Sequence, residues 1–125
     1  MKVIYNGGTM SYNGCSDPKG LVVGKIYEVV AKSVGKFQTD YTLKEMDGQF
    51  NSVWFDKVED FPTYLAIGRK VPVAGESYEC WRLVINKNVV NSQKAKTSSV
   101  RYVELIGKDT YMAITRNSIY VVTIK

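Results

Sequence analysis

Apolar residues in this chain recur at period two in short runs, and Gly, Asn and Asp turns separate the runs. Lys25, Tyr27 and Val29 alternate with Ile26, Glu28 and Val30, so residues 24–30 predict a strand. Residues 1–5 predict a short opening strand that Asn6-Gly7-Gly8 ends. Residues 41–46 and 49–55 predict a hairpin about Asp47-Gly48, because a two-residue primed turn favours positive φ at both positions. Residues 100–106, 110–115 and 119–124 predict three closing strands, turned at Gly107-Lys108-Asp109 and at Arg116-Asn117-Ser118. No window of eleven or more residues carries a 3.6-residue period, so almost no helix is expected.

The strand at 24–30 has an echo. Gly24-Lys25-Ile26-Tyr27-Glu28 returns as Gly75-Glu76-Ser77-Tyr78-Glu79, each a Gly, two residues, Tyr-Glu and then a short apolar run. The pattern predicts an all-β fold. It consists either of two small β units in tandem, residues 1–60 and 61–125, or of one continuous antiparallel meander. Barrels of about 55–65 residues are marginal alone, so the halves are expected to pack together or the chain to form a homo-oligomer.

Charge changes this picture in one half only. Residues 1–56 hold six Lys and six acids, whereas residues 57–125 hold eleven Lys or Arg against six acids. No acid lies between Glu79 and Glu104, a stretch that carries Arg82, Lys87, Lys94, Lys96 and Arg101. Residues 91–99 are amide- and hydroxyl-rich with little apolar periodicity, so 84–99 reads as an extended basic loop. A one-sign segment suits a phosphate-bearing partner, and equally a solvated surface.

The candidate site follows from that segment. Arg82, Lys87, Lys94, Lys96 and Arg101 supply charge for phosphate, and Trp81 and Tyr102, with Tyr78 and Tyr111, supply stacking faces. Asn86, Asn88 and Asn91 have the donors and acceptors to read a base or ribose edge. Any one of these aromatics also suits a barrel core. A second candidate is the aromatic group Phe50, Trp54 and Phe55, which puts large apolar side chains on both faces of one strand. Such a strand is either buried on both sides or presents a contact surface to a protein partner.

Other chemistry is thinly represented. The chain has no histidine, which removes the usual general base and the Ser-His and Cys-His pairs, and the acids are scattered without metal-type spacing. No catalytic residues, metal site or cofactor are therefore expected, and the chain reads as a binding protein rather than an enzyme. The glycine-rich stretch 6–20 lacks a Gly-Lys-Ser/Thr and precedes a strand, so it is not a P-loop; it reads as a long surface loop or as backbone lining a site. Cys15 and Cys80 form no CxxC, and no signal-peptide pattern precedes them, which favours reduced thiols in a cytoplasm while leaving a disulfide open. No apolar run approaches 18 residues, so no membrane span is expected.

Residues 23–29, followed by Asp47-Gly48-Gln49-Phe50-Asn51-Ser52-Val53-Trp54-Phe55, resemble short proteins common in bacteriophages and prophages of Gram-positive bacteria. The likeness covers roughly residues 1–58. It implies SH3-like barrels and a phage accessory role. Proteins of that kind often inhibit host machinery, and some act as sponges: β-rich oligomers that sequester nucleotide immune signals without cleaving them. The resemblance implies this context rather than a mechanism; taken with the basic segment and its aromatics, the chain is expected to be a nucleotide-binding sponge in the host cytoplasm. The alternatives are an adaptor that masks a host protein and a small nucleic-acid-binding barrel. The second half departs from the pattern: Lys25-Ile26 becomes Glu76-Ser77, and the stretch 51–55 has no counterpart near 111–115.

Overall fold

The computed structural model describes residues 1–9, 16–86 and 89–125. They form an all-β protein with two sheets, and no helix reaches seven residues. The chain divides into two compact units, Met1–Asp60 and Phe61–Lys125.

The first unit has five strands: β1 (Lys2–Tyr5), β2 (Ile26–Val34), β3 (Thr39–Leu43), β4 (Phe50–Asn51) and β5 (Phe55–Lys57). Their order is β4-β3-β2-β1-β5, with every neighbouring pair antiparallel. A register shift between Val29 and Ala31 bends β2, so that its first half pairs with β1 and its second with β3. Val3, Tyr5, Leu21, Tyr27, Tyr41, Leu43, Phe50, Trp54 and Phe55 fill the core. Phe55 sits at the hub, with ring centroids 5.9 Å from Tyr5, 6.5 Å from Tyr27 and 5.9 Å from Tyr41.

Two expectations change in this unit. The hairpin about Asp47-Gly48 is a longer connection, since Tyr41 pairs with Phe50 and Asp40 with Asn51. Ser16 takes the backbone groups that a tight turn would have used: its N–H donates to the Gln49 carbonyl (2.6 Å) and its hydroxyl accepts from the Gln49 N–H (3.1 Å). Nor is 49–55 one strand. The Asn51 side chain accepts the Val53 N–H at 3.2 Å and caps a 3₁₀ turn, Ser52–Trp54, which drops Trp54 into the core. Phe50, Trp54 and Phe55 are therefore core residues, 1%, 1% and 8% exposed, and do not form an outward contact surface.

The second unit has six strands: β6 (Thr63–Gly68), β7 (Glu79–Asn86), β8 (Val89–Lys96), β9 (Val100–Gly107), β10 (Thr110–Thr115) and β11 (Ile119–Ile124). Their order is β8-β7-β6-β11-β10-β9. β6 and β11 run parallel over six residue pairs, so this sheet is not a simple antiparallel meander. The core is Ala66, Tyr78, Cys80, Val100, Ala113, Tyr120 and Val122.

The segment expected as a basic loop, 84–99, is mostly ladder. β8 pairs with β7 from Glu79–Lys96 through Asn86–Val89 without a register shift. β6 reaches only as far as the Ala66–Arg82 pair, so the outer part of β7 and β8 is a two-stranded arm. Nearly all of β8 is exposed. An arm wet on both faces needs no apolar alternation, which is why period two is absent there.

The echo between the halves is a turn. Gly24 and Gly75 both have positive φ, 84° and 95°. The Lys25 N–H donates to the Val22 carbonyl (3.1 Å), and the Glu76 N–H to the Val73 carbonyl (3.2 Å). These are β-turns that place glycine third, where φ must be positive. Each turn then makes a reciprocal pair. Gly24 N–H donates to Tyr5 O while Tyr5 N–H donates to Lys25 O; Gly75 N–H donates to Val100 O while Val100 N–H donates to Glu76 O. The two units share this turn and not their strand order.

Candidate functional site

The ten residues between β6 and β7 are the connection that shapes the site, and the turn at Gly75 folds them back. Tyr78, the echo tyrosine, is buried and donates its hydroxyl to the Lys70 carbonyl at 2.5 Å. Its ring end passes over Gly68, where a Cβ would collide with the Tyr78 hydroxyl. The Tyr78 backbone is fixed from the other side, because its N–H donates to Thr97 Oγ1 (3.0 Å) and its carbonyl accepts from the Thr97 N–H (2.8 Å). Arg69 and Lys70 are thus held next to β7 by one side chain.

This arrangement opens a cleft of about 830 Å³ lined by Arg69, Lys70, Val71, Val73, Glu76, Ser77, Tyr78, Glu79, Trp81 and Lys94. Trp81 forms one wall. Ile67 on β6 and Lys94 on β8 are its cross-strand partners. Arg69 lies two residues beyond Ile67, on the same face of the strand path, and its guanidinium carbon is 5.2 Å from the Trp81 ring centroid. Among the described residues, none of Arg69, Lys70 and Lys94 is in an ion pair, although Glu76 and Glu79 line the same cleft. Three exposed cations and an indole line one cleft, which brings together charge-assisted donors and a π-surface.

The other sequence-predicted residues are dispersed. Arg82 follows Trp81 and so faces the opposite side of β7. There it is half-buried, with its guanidinium carbon 4.5 Å from the Tyr64 ring centroid and a buried Nε that has no hydrogen-bond partner. Lys96 is opposite Glu79 on β8, outside the cleft lining. Arg101 and Tyr102 lie on β9, at the other end of the sheet order, and the Tyr102 hydroxyl donates to Glu104 Oε1 at 3.0 Å. Lys87, Asn88 and the Asn86 side chain lie outside the described residues, as does Cys15. The cleft therefore unites Trp81 and Lys94 with Arg69 and Lys70, which lie outside the basic segment expected from the sequence.

Burial sets the protonation of the inner groups. It pushes the Tyr78 hydroxyl up, with the Cys80 thiol adding to the rise, so Tyr78 stays a neutral donor to Lys70. The Cys80 thiol is also raised by burial, against a smaller opposing pull from Arg82. It is a free, buried, protonated thiol.

Residues 18–68 match the family model described as Bacteriophage T4 protein Y07B. The match runs from the 3₁₀ turn Pro18–Gly20 through β2 to β5 and ends with β6, one residue short of Arg69. It supports a bacteriophage accessory protein and includes the buried 50–55 aromatics, while the cleft's cations and Trp81 fall outside it. No curated protein and no solved structure matches the chain.

Proposed function

We propose that the second unit binds a nucleotide-type phosphorylated small molecule in the Trp81 cleft and holds it without cleaving it. The observation that carries this reading is that Arg69, Lys70 and Lys94, none of them ion-paired among the described residues, line one cleft with Trp81, with Arg69 over the indole ring. Arg69 and the lysines neutralise phosphate, the base stacks on the indole beside the Arg69 guanidinium, and Glu76, Ser77 and Glu79 accept hydrogen bonds from amino or ribose hydroxyl groups. The two carboxylates work against a long phosphate track, which favours a small ligand over nucleic acid. The likeness to a bacteriophage family supports a phage-encoded role. On this reading the protein is a sponge that withdraws a nucleotide signal from host antiviral immunity, in the host cytoplasm.

The first unit is read as SH3-like. Its strand order β4-β3-β2-β1-β5, long β1–β2 connection and 3₁₀ turn before β5 support this. A second reading, an adaptor for a host protein, is favoured by one observation. Phe37 is 81% exposed at the β2–β3 turn, with Val34 and Val53 also exposed. The contact surface would then lie there and not at Phe50, Trp54 and Phe55.

A thermal-shift series with cyclic nucleotides and ADP-ribose-type nucleotides tests the main reading. A ligand that binds the folded state raises Tm with its concentration and is recovered intact after denaturation. A short RNA or DNA whose affinity falls steeply with salt supports the nucleic-acid reading instead. A host protein that binds only when Phe37 is intact, with no nucleotide shift, supports the adaptor.

A further inference from the structure

The outer edge of the second sheet is β8, which pairs with β7 on one side and with no strand on the other among the described residues. Natural edge strands are guarded by charge, proline or bulges, because unpaired backbone groups recruit another strand. The opposite edge, β9, is guarded in this way: it carries Arg101 and Glu104, and its ladder with β10 shifts register near both ends. β8 has neither proline nor register shift. Its two charges, Lys94 and Lys96, sit at one end, and Val89-Val90-Asn91-Ser92-Gln93 is uncharged and exposed throughout.

We propose that β8 pairs antiparallel with β8 of a second copy of this chain, about a twofold axis through Asn91. Charge excludes the registers centred on or between the lysines. A pairing centred on residue 95 sets Lys94 opposite Lys96 twice, and one centred on 94 or 96 sets a lysine opposite its own copy; like charges directly opposite are destabilising. Centring on Asn91 sets Val89 opposite Gln93 and Val90 opposite Ser92, with both lysines beyond the uncharged stretch. The contact is isologous and closes at two copies. It covers Val89 and Val90, which are 55% and 60% exposed in the single chain.

Sedimentation velocity over a concentration series tests this, with circular dichroism as the check on folding. The full chain is expected to show a concentration-dependent monomer–dimer equilibrium, and Ser92→Lys or Val90→Lys to weaken it roughly tenfold or more, because each places charge at the pairing twice. In a Cys15→Ser background, Asn91→Cys is expected to form a disulfide-linked dimer on mild oxidation and Lys96→Cys not to. A chain that stays monomeric overturns the proposal. So does a dimer untouched by Ser92→Lys, or one that cross-links as readily through Lys96→Cys as through Asn91→Cys.

Discussion

The Tyr78 hydroxyl donates a 2.5 Å hydrogen bond to the Lys70 carbonyl, and this bond positions the Arg69-Lys70 pair beside Trp81. Tyr27, its counterpart in the first unit, uses its hydroxyl differently: it accepts the Val22 N–H at 2.9 Å and braces its own turn. The same residue in the same motif thus supports a turn in one unit and the Arg69-Lys70 connection in the other. Removing the hydroxyl with Tyr78→Phe is expected to cost about 1 kcal/mol of stability, measured by urea denaturation, and to weaken ligand binding without abolishing it. Gly68→Ala is expected to cost about 1–3 kcal/mol, because its methyl group displaces the Tyr78 ring end.

Gly24 and Gly75 both need positive φ. A Cβ at Gly75 meets nothing within 4 Å, so Gly75→Ala isolates the backbone term, expected at about 1–2 kcal/mol. Gly75→Asn should recover part of that loss in the same denaturation assay, since asparagine tolerates the left-handed region better.

The aromatics at 50–55 and Phe37 should separate cleanly. Trp54→Ala is expected to cost about 3–5 kcal/mol, because it empties a fully buried site. Phe37→Ala, at an exposed position, should stay within about 0.5 kcal/mol.

Alkaline pH should weaken the fold. Burial raises Tyr5, Tyr78 and Tyr120 above the ordinary 10.0 and Cys80 above 9.0, with the Arg82 charge opposing burial at Tyr120 and Cys80. A raised folded pKa means that the unfolded chain loses its proton first, so each contribution is complete below the ordinary value and declines as pH rises past it. Stability measured by urea titration should begin to fall near pH 9 and continue past pH 10. Tyr78→Phe should reduce the slope above pH 10.

Much of this fold was legible because its strands are short runs of β-branched and aromatic residues bounded by Gly, Asn and Asp turns. The runs fall at β2, β9, β10 and β11, although burial does not alternate strictly along them, and the glycine echo marked a real turn. The sequence misled where side chains replaced local pairing. Ser16 captures Gln49 from 33 residues away, and Asn51 caps a 3₁₀ turn inside what reads as one strand. The candidate cleft was half legible. Trp81 and Lys94 drew notice through charge and aromatic character, but Arg69 reaches Trp81 only through the β6–β7 pairing, which no local pattern specifies. Arg82 lies off the cleft for a simple reason: in a strand, the neighbour of a residue on one face points to the other.

Tryptophan fluorescence tests the binding site most directly, because the chain has two tryptophans and Trp54 is 1% exposed. Titration with a cyclic or ADP-ribose-type nucleotide is expected to quench Trp81 emission saturably. The effect should disappear in Trp81→Phe and need roughly tenfold or more ligand in Arg69→Ala, the loss of one charge-assisted contact. A nucleotide that binds with equal affinity to the wild type, Trp81→Phe and Arg69→Ala would contradict the account.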